Sequence, residues 1–80
     1  MASRYYFDLR NGDDLIVDED GEVHLHLSAA QDEAVRSLAC LIQDAIGKST
    51  GPLTELAIEV RDDNGAVMQA KFTLQVLRKN

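Results

Sequence analysis

Residues 28–48 read SAAQDEAVRSLACLIQDAIGK, and this stretch decides the fold. Stepping about 100° per residue, Ala34, Val35, Leu38, Leu41, Ile42, Ala45 and Ile46 fall in one broad apolar stripe. Asp32, Glu33, Arg36, Gln43 and Asp44 fall opposite it. Ser28 stands three residues before Gln31, the spacing of a capping box, in which each side chain satisfies a free N–H of the first turn. Gln31 lands on the apolar side, as expected of a first-turn residue folding back on its cap. Gly47 and Lys48 supply a stop, and Pro52 prevents resumption. The pattern predicts an amphipathic helix about 27 Å long.

On either side of the helix the period changes from 3.6 to 2. Before it, Tyr5, Phe7 and Leu9 alternate with Arg4, Tyr6, Asp8 and Arg10. Asn11-Gly12 marks a tight turn, and Leu15-Ile16-Val17 is expected to pair back as a second strand. The segment Asp18-Glu19-Asp20-Gly21-Glu22 reads as a charged loop or bulge, and Val23 to Leu27 is extended again. After the helix, Leu56, Ile58 and Val60 alternate with Ala57, Glu59 and Arg61. A turn at Asp62-Asp63-Asn64-Gly65 leads to a long last strand. There Met68, Ala70, Phe72, Leu74 and Val76 alternate with Gln69, Lys71, Thr73 and Gln75. The expected architecture is α+β: one domain over residues 1–80, β-β-α-β-β, an antiparallel sheet of about four strands with one helix on one face.

The chain has 80 residues, 45% of them apolar and 28% charged. A chain this size hides only about 60–65% of its unfolded surface, so a deep enclosed active site is not expected. Fourteen acids against eight bases give a net charge of −6. Six of those acids lie between Asp13 and Glu22, a segment without a base. Such a chain is repelled by phosphate backbones, and its bases form no stripe, so a nucleic-acid partner is not expected. Charges interleave with apolar residues from Met1 to Asp8, unlike a signal peptide. No uncharged run approaches the roughly 20 residues that span a bilayer. The single Cys40 cannot form an internal disulfide. The expected location is the cytoplasm.

The same residues resemble a family of small bacterial proteins, common in alphaproteobacteria, classed as a domain of unknown function. The resemblance rests on Tyr5, Tyr6, Phe7, Leu9 and Gly12, then Asp18 and Gly21, and on Ala29, Ala30, Glu33 and Ala34 at the helix. A later run of Ile58, Glu59, Val60, Asp62 and Gly65 completes it. Where the family tends to have Leu-Pro-Asp-Leu, this chain has His24-Leu25-His26-Leu27. The resemblance implies a fold; it brings no catalytic residues.

Chemistry-bearing residues are few. The acidic segment invites a calcium reading, but the EF-hand register places Ile16 and Leu27 at its first and twelfth positions when anchored on Gly21. Anchored on Gly65 it places Val60 and Phe72 there, so both fail. His24 and His26, two apart on an extended segment, would point to one face and are weak metal candidates. Two imidazoles are not a site without a third ligand from Glu22, the acidic segment or a symmetry mate. Cys40 falls at about 200° on the wheel, on the polar face, with Arg36 and Asp44 one turn away and their effects on a thiolate opposed. Neither histidine is placed to serve it as a base. No cofactor is expected.

One helix shields one side of the sheet, so the other face, with Tyr6, Asp8, Glu59, Arg61, Lys71, Thr73 and Gln75, is the expected contact surface, together with any unpaired edge strand. The expected function is a non-enzymatic interaction or accessory module whose partner is a protein, including a second copy of itself as a homodimer. The rival is an antitoxin-like inhibitor of a basic partner, on a partial likeness to the HicB fold. A third class, metal- or thiol-dependent activity, rests on His24, His26 and Cys40.

Overall fold

The computed structural model describes residues 2–48, 53–75, 77 and 79. In chain order the elements are β1 (Ser3–Asn11), β2 (Asp14–Ile16), β3 (Glu22–His24), α1 (Leu27–Lys48), β4 (Leu53–Asp62) and β5 (Gly65–Gln75). All pairings are antiparallel. The sheet runs β2-β1-β4-β5, with β3 also paired to β1. The α+β layout is as expected, with five strands rather than four. The extra strand is Glu22–His24, cut from the segment after the acidic loop. It pairs Ser3 with His24, Arg4 with Val23 and Tyr5 with Glu22.

The hairpins follow their turn residues. Asn11 pairs with Asp14 across Gly12-Asp13. Gly12 takes φ +59° and, among the described residues, no non-glycine residue has positive φ, which matches the hairpin turn that places glycine first. Beyond Asp63-Asn64, Gly65 takes φ +121°, and Asp62 Oδ1 accepts the Asn64 N–H at 2.8 Å. The β4–β5 register then slips between Val60 and Arg61. Val60 faces Met68 while Arg61 faces Ala66, leaving Val67 as the extra residue of a bulge.

Ala30, Ala34 and Leu38 are buried along one line of α1 and pack with Tyr5, Leu56, Ile58 and Val60. Two alanines at four-residue spacing let the helix backbone approach the sheet, and alanine loses no rotamer freedom there. Burying a side chain of the size of Leu56 or Ile58 contributes roughly 1.5–3 kcal/mol. Around this centre Phe7, Leu9, Leu41, Ile42, Ala45, Met68, Ala70 and Phe72 are half-buried. Val35, on the same predicted stripe, is 53% exposed. The helix lies mainly against β4 and β5, and Val35, at the margin of a wide stripe, is left partly uncovered.

Both helix ends differ from expectation. The helix opens at Leu27, and the His26 carbonyl accepts the N–H groups of Ala29 and Ala30 at 3.1 and 3.3 Å. His26 is therefore the cap residue, and Ser28 lies inside the first turn. The chain leaves β3 at His24 and needs only the bend at Leu25-His26 to reach the helix, which moves the cap two residues upstream. At the other end α1 continues through Gly47 and Lys48, giving 22 residues and about 33 Å. Pro52 lies outside the described residues.

Candidate interaction surfaces

The ladders bring the predicted surface residues together. Tyr6 faces Arg61 and Asp8 faces Glu59 across β1–β4, while Lys71 faces Ala57, Thr73 faces Glu55 and Gln75 faces Leu53 across β4–β5. All share the face turned from α1. That face is closed by its own charges. Arg61 Nε donates to Asp8 Oδ2 at 2.8 Å and Nη2 to Oδ1 at 3.5 Å, while its guanidinium lies 4.4 Å from the centre of the Tyr6 ring. Arg10 Nε donates to Glu59 Oε2 at 2.8 Å, and Gln69 Nε2 donates to the same oxygen at 3.3 Å. Lys71 Nζ lies 3.3 Å from Glu55 Oε1. The Glu59 hydrogen bond and charge raise the pKa of Arg10, as the Asp8 hydrogen bond raises that of Arg61. Asp8 is only 7% exposed, so its charge is held by Arg61 and by the backbone of the acidic loop.

That loop is built on one carboxylate. Asp18 Oδ2 accepts the N–H of Phe7 at 3.1 Å, and Oδ1 accepts those of Asp20 and Gly21, each at 3.1 Å. Its own N–H donates to Asp8 Oδ1 at 2.9 Å, and its carbonyl accepts Arg61 Nη2 at 2.9 Å. On this side β1 pairs with β3 over Ser3–Tyr5 and with β2 over Leu9–Asn11. Phe7 falls in the gap, and Asp18 takes the N–H that a strand would otherwise take. Burial raises the Asp18 pKa, but the three N–H donors and the Arg61 charge together outweigh it, and the net shift is downward. Gly21, at φ +71°, completes the loop: a Cβ there would sit 2.9 Å from the Tyr5 carbonyl oxygen. The acids of the segment are thus of two kinds. Asp18 is scaffold, whereas Asp13, Asp14, Glu19, Asp20 and Glu22 are exposed. The signal for the scaffold acid was in the sequence, as an Asp that can accept the N–H two residues on in an Asx turn, here that of Asp20, followed by the glycine of positive φ that closes the loop.

The two histidines do not share a face. His24 is on β3, its ring 6.3 Å from that of Tyr5 and 5.9 Å from that of Phe7. Its Nε2 lies 3.3 Å from Glu22 Oε1 yet at an angle that makes no hydrogen bond, and is buried without another partner. His26 is exposed at the helix cap. The extended pattern ends at His24, so the two-residue spacing no longer sets a common direction. Among the described residues, no three His, Cys, Asp or Glu side chains are grouped as a metal site would require. Cys40 is exposed on the outer face of α1, in a depression with Glu33, Arg36, Ser37 and Leu41.

Among the described residues β5 is paired on one side only, with β4. Beside it runs a shallow groove of about 470 Å³ between the strand and α1, lined by Val35, Leu38, Ala39, Ile42, Met68 and Phe72 among others. Gln31, expected to fold back on the helix cap, lies at this groove instead. An open edge flanked by apolar side chains offers both backbone hydrogen bonds and pockets for alternate residues of an added strand. Sequence reasoning pointed to an unpaired edge without saying which strand it would be.

No helix among the described residues is long and apolar enough to cross a membrane. No curated protein and no solved structure matches the chain. The family model described as a domain of unknown function, DUF6894, matches residues 4–73, and on that match the chain belongs to this family.

Proposed function

We propose that the protein is a non-enzymatic interaction module that takes a protein partner by strand addition at β5. The observation that carries this reading is the edge of an eleven-residue strand, unpaired among the described residues, beside an apolar groove. The charged face is less suited to the role, because Arg10, Arg61, Glu59 and Asp8 are already paired within the chain and a partner would have to displace those pairs. A cytoplasmic setting fits the one free cysteine. The rival reading, inhibition of a basic partner, would use the exposed acids at the opposite edge.

Photo-crosslinking in living cells of the native host separates the two. A crosslinking residue at Thr73, exposed on β5, is expected to give a protein adduct, and one at Glu19, exposed in the acidic loop, none. An adduct with a basic protein from Glu19, with none from Thr73, would replace the strand-addition reading by its rival.

A further inference from the structure

We propose that the partner is a second copy of this chain, with β5 pairing antiparallel to β5 about a two-fold axis at Phe72, so that two sheets become one. The inference rests on the strand-addition reading and names its occupant.

Charge is the first argument. Two copies at −6 each repel, so they must meet where the charge is least. The acids of the exposed loop lie at the β2/β3 edge. By contrast β5 carries no acid and a single base, Lys71. The helix residues that line the groove beside it, Gln31, Val35, Leu38, Ala39 and Ile42, are all uncharged. A basic partner gains nothing from this side; a like chain loses least on it.

Register is the second. In a two-fold antiparallel pair, residues facing one another lie on the same face, so the axis passes through a single residue of each strand. An axis at Lys71 would set two ammonium groups opposite each other, which is destabilising. One at Ala70 would draw the Val67 bulge into the seam. With the axis at Phe72, Lys71 meets Thr73, Ala70 meets Leu74 and Gln69 meets Gln75. Small then faces large on the helix side, and the cation faces a hydroxyl.

The third argument is Val35, 53% exposed on a stripe whose other described residues are buried or half-buried. A two-fold axis perpendicular to the sheet places both helices on the same side of the joined sheet. Their groove-facing flanks then turn toward the seam, covering Val35 and Ala39. The contact is narrow and falls at the low end of interface sizes, where association is weak and transient.

Light scattering on the purified chain from about 1 µM to about 1 mM, with amide exchange followed over the same range, tests this. The mass is expected to double, and the outward amides of residues 69–75 to exchange more slowly as it does. Val35→Glu and Ala39→Glu, both at exposed positions, should hold the chain at single mass with an unchanged melting temperature. A single-chain mass throughout would overturn self-pairing, as would a doubling that neither variant nor the β5 amides register. If the chain stays single while Thr73 crosslinks to a different protein in cells, self-pairing falls and strand addition stands. If Thr73 gives no adduct of any kind, strand addition falls as well.

Discussion

The two edges of the sheet are built in opposite ways. On one side β1 is bordered by two three-residue strands, Asp14–Ile16 and Glu22–His24, and the gap between them is filled by the Asp18 carboxylate bonded to Phe7 N–H. An incoming strand finds no continuous row of free backbone groups there. It also meets the exposed acids Asp14, Glu19, Asp20 and Glu22. On the other side β5 runs eleven residues, broken only by the bulge near its start and guarded by one lysine. Short strands, interruptions and charges are the ordinary means of keeping an edge from pairing, and the chain applies them to one edge far more heavily than to the other. The protected edge carries exposed Leu15, Ile16, Val17 and Val23. Apolar exposure alone therefore does not mark the contact surface; it has to coincide with a continuous run of backbone.

Removing the protection is the strongest way to break the comparison. Gly21→Ala forces a side chain into positive φ and against the Tyr5 carbonyl oxygen, which is backbone and cannot swing aside. A loss of about 3 kcal/mol is expected from backbone strain and contact together, measured by denaturant unfolding. Unchanged stability would mean the loop does not hold β3 against β1. Asp18→Ala comes next, at about 2 kcal/mol, because three N–H groups lose an acceptor at once and water reaches them only in part. Asp18→Asn keeps one acceptor oxygen and should fall between the variant and the parent. An alanine variant as stable as the parent would show that water serves the Phe7 N–H equally well.

Much of this was legible in the sequence, and the reasons are local. The alternation at Tyr5–Leu9 and at Leu56–Arg61, together with the helical stripe, places both central strands and the helix, because period and glycine turns are properties of neighbouring residues. Four features were not legible. The third strand, Glu22–His24, is too short to show a period and is defined by its partner, Ser3–Tyr5. The cap moved from Ser28 to His26 because a tertiary constraint, the exit from β3, overrode a side-chain preference. The charged sheet face was identified residue by residue, but that its charges would cancel pairwise depends on cross-strand neighbours such as Arg61 and Asp8, fifty-three positions apart. Strand order, and hence which edge stays open, is likewise a property of the assembled sheet.

Acid titration sharpens the comparison at the level of a single group. The folded-state pKa of Asp18 lies below its ordinary value. Its contribution is therefore fully present above the unfolded-state pKa of about 3.9 and is lost as pH falls through the lower folded value. Between the parent and Asp18→Asn, the stability difference should be constant near neutrality and shrink only below about pH 4. If it already shrinks near pH 6, the carboxylate is not held ionised by its N–H donors, and the closed edge owes its shape to something else. On the β5 side the expected effect is smaller. Lys71 and Glu55 form a pair 54% and 45% exposed, and water and salt screen such pairs. Lys71→Ala is expected to change monomer stability by less than about 0.5 kcal/mol. A larger loss would mean that Lys71 holds β5 to β4 rather than guarding a free edge, and the contrast between the two edges would narrow accordingly.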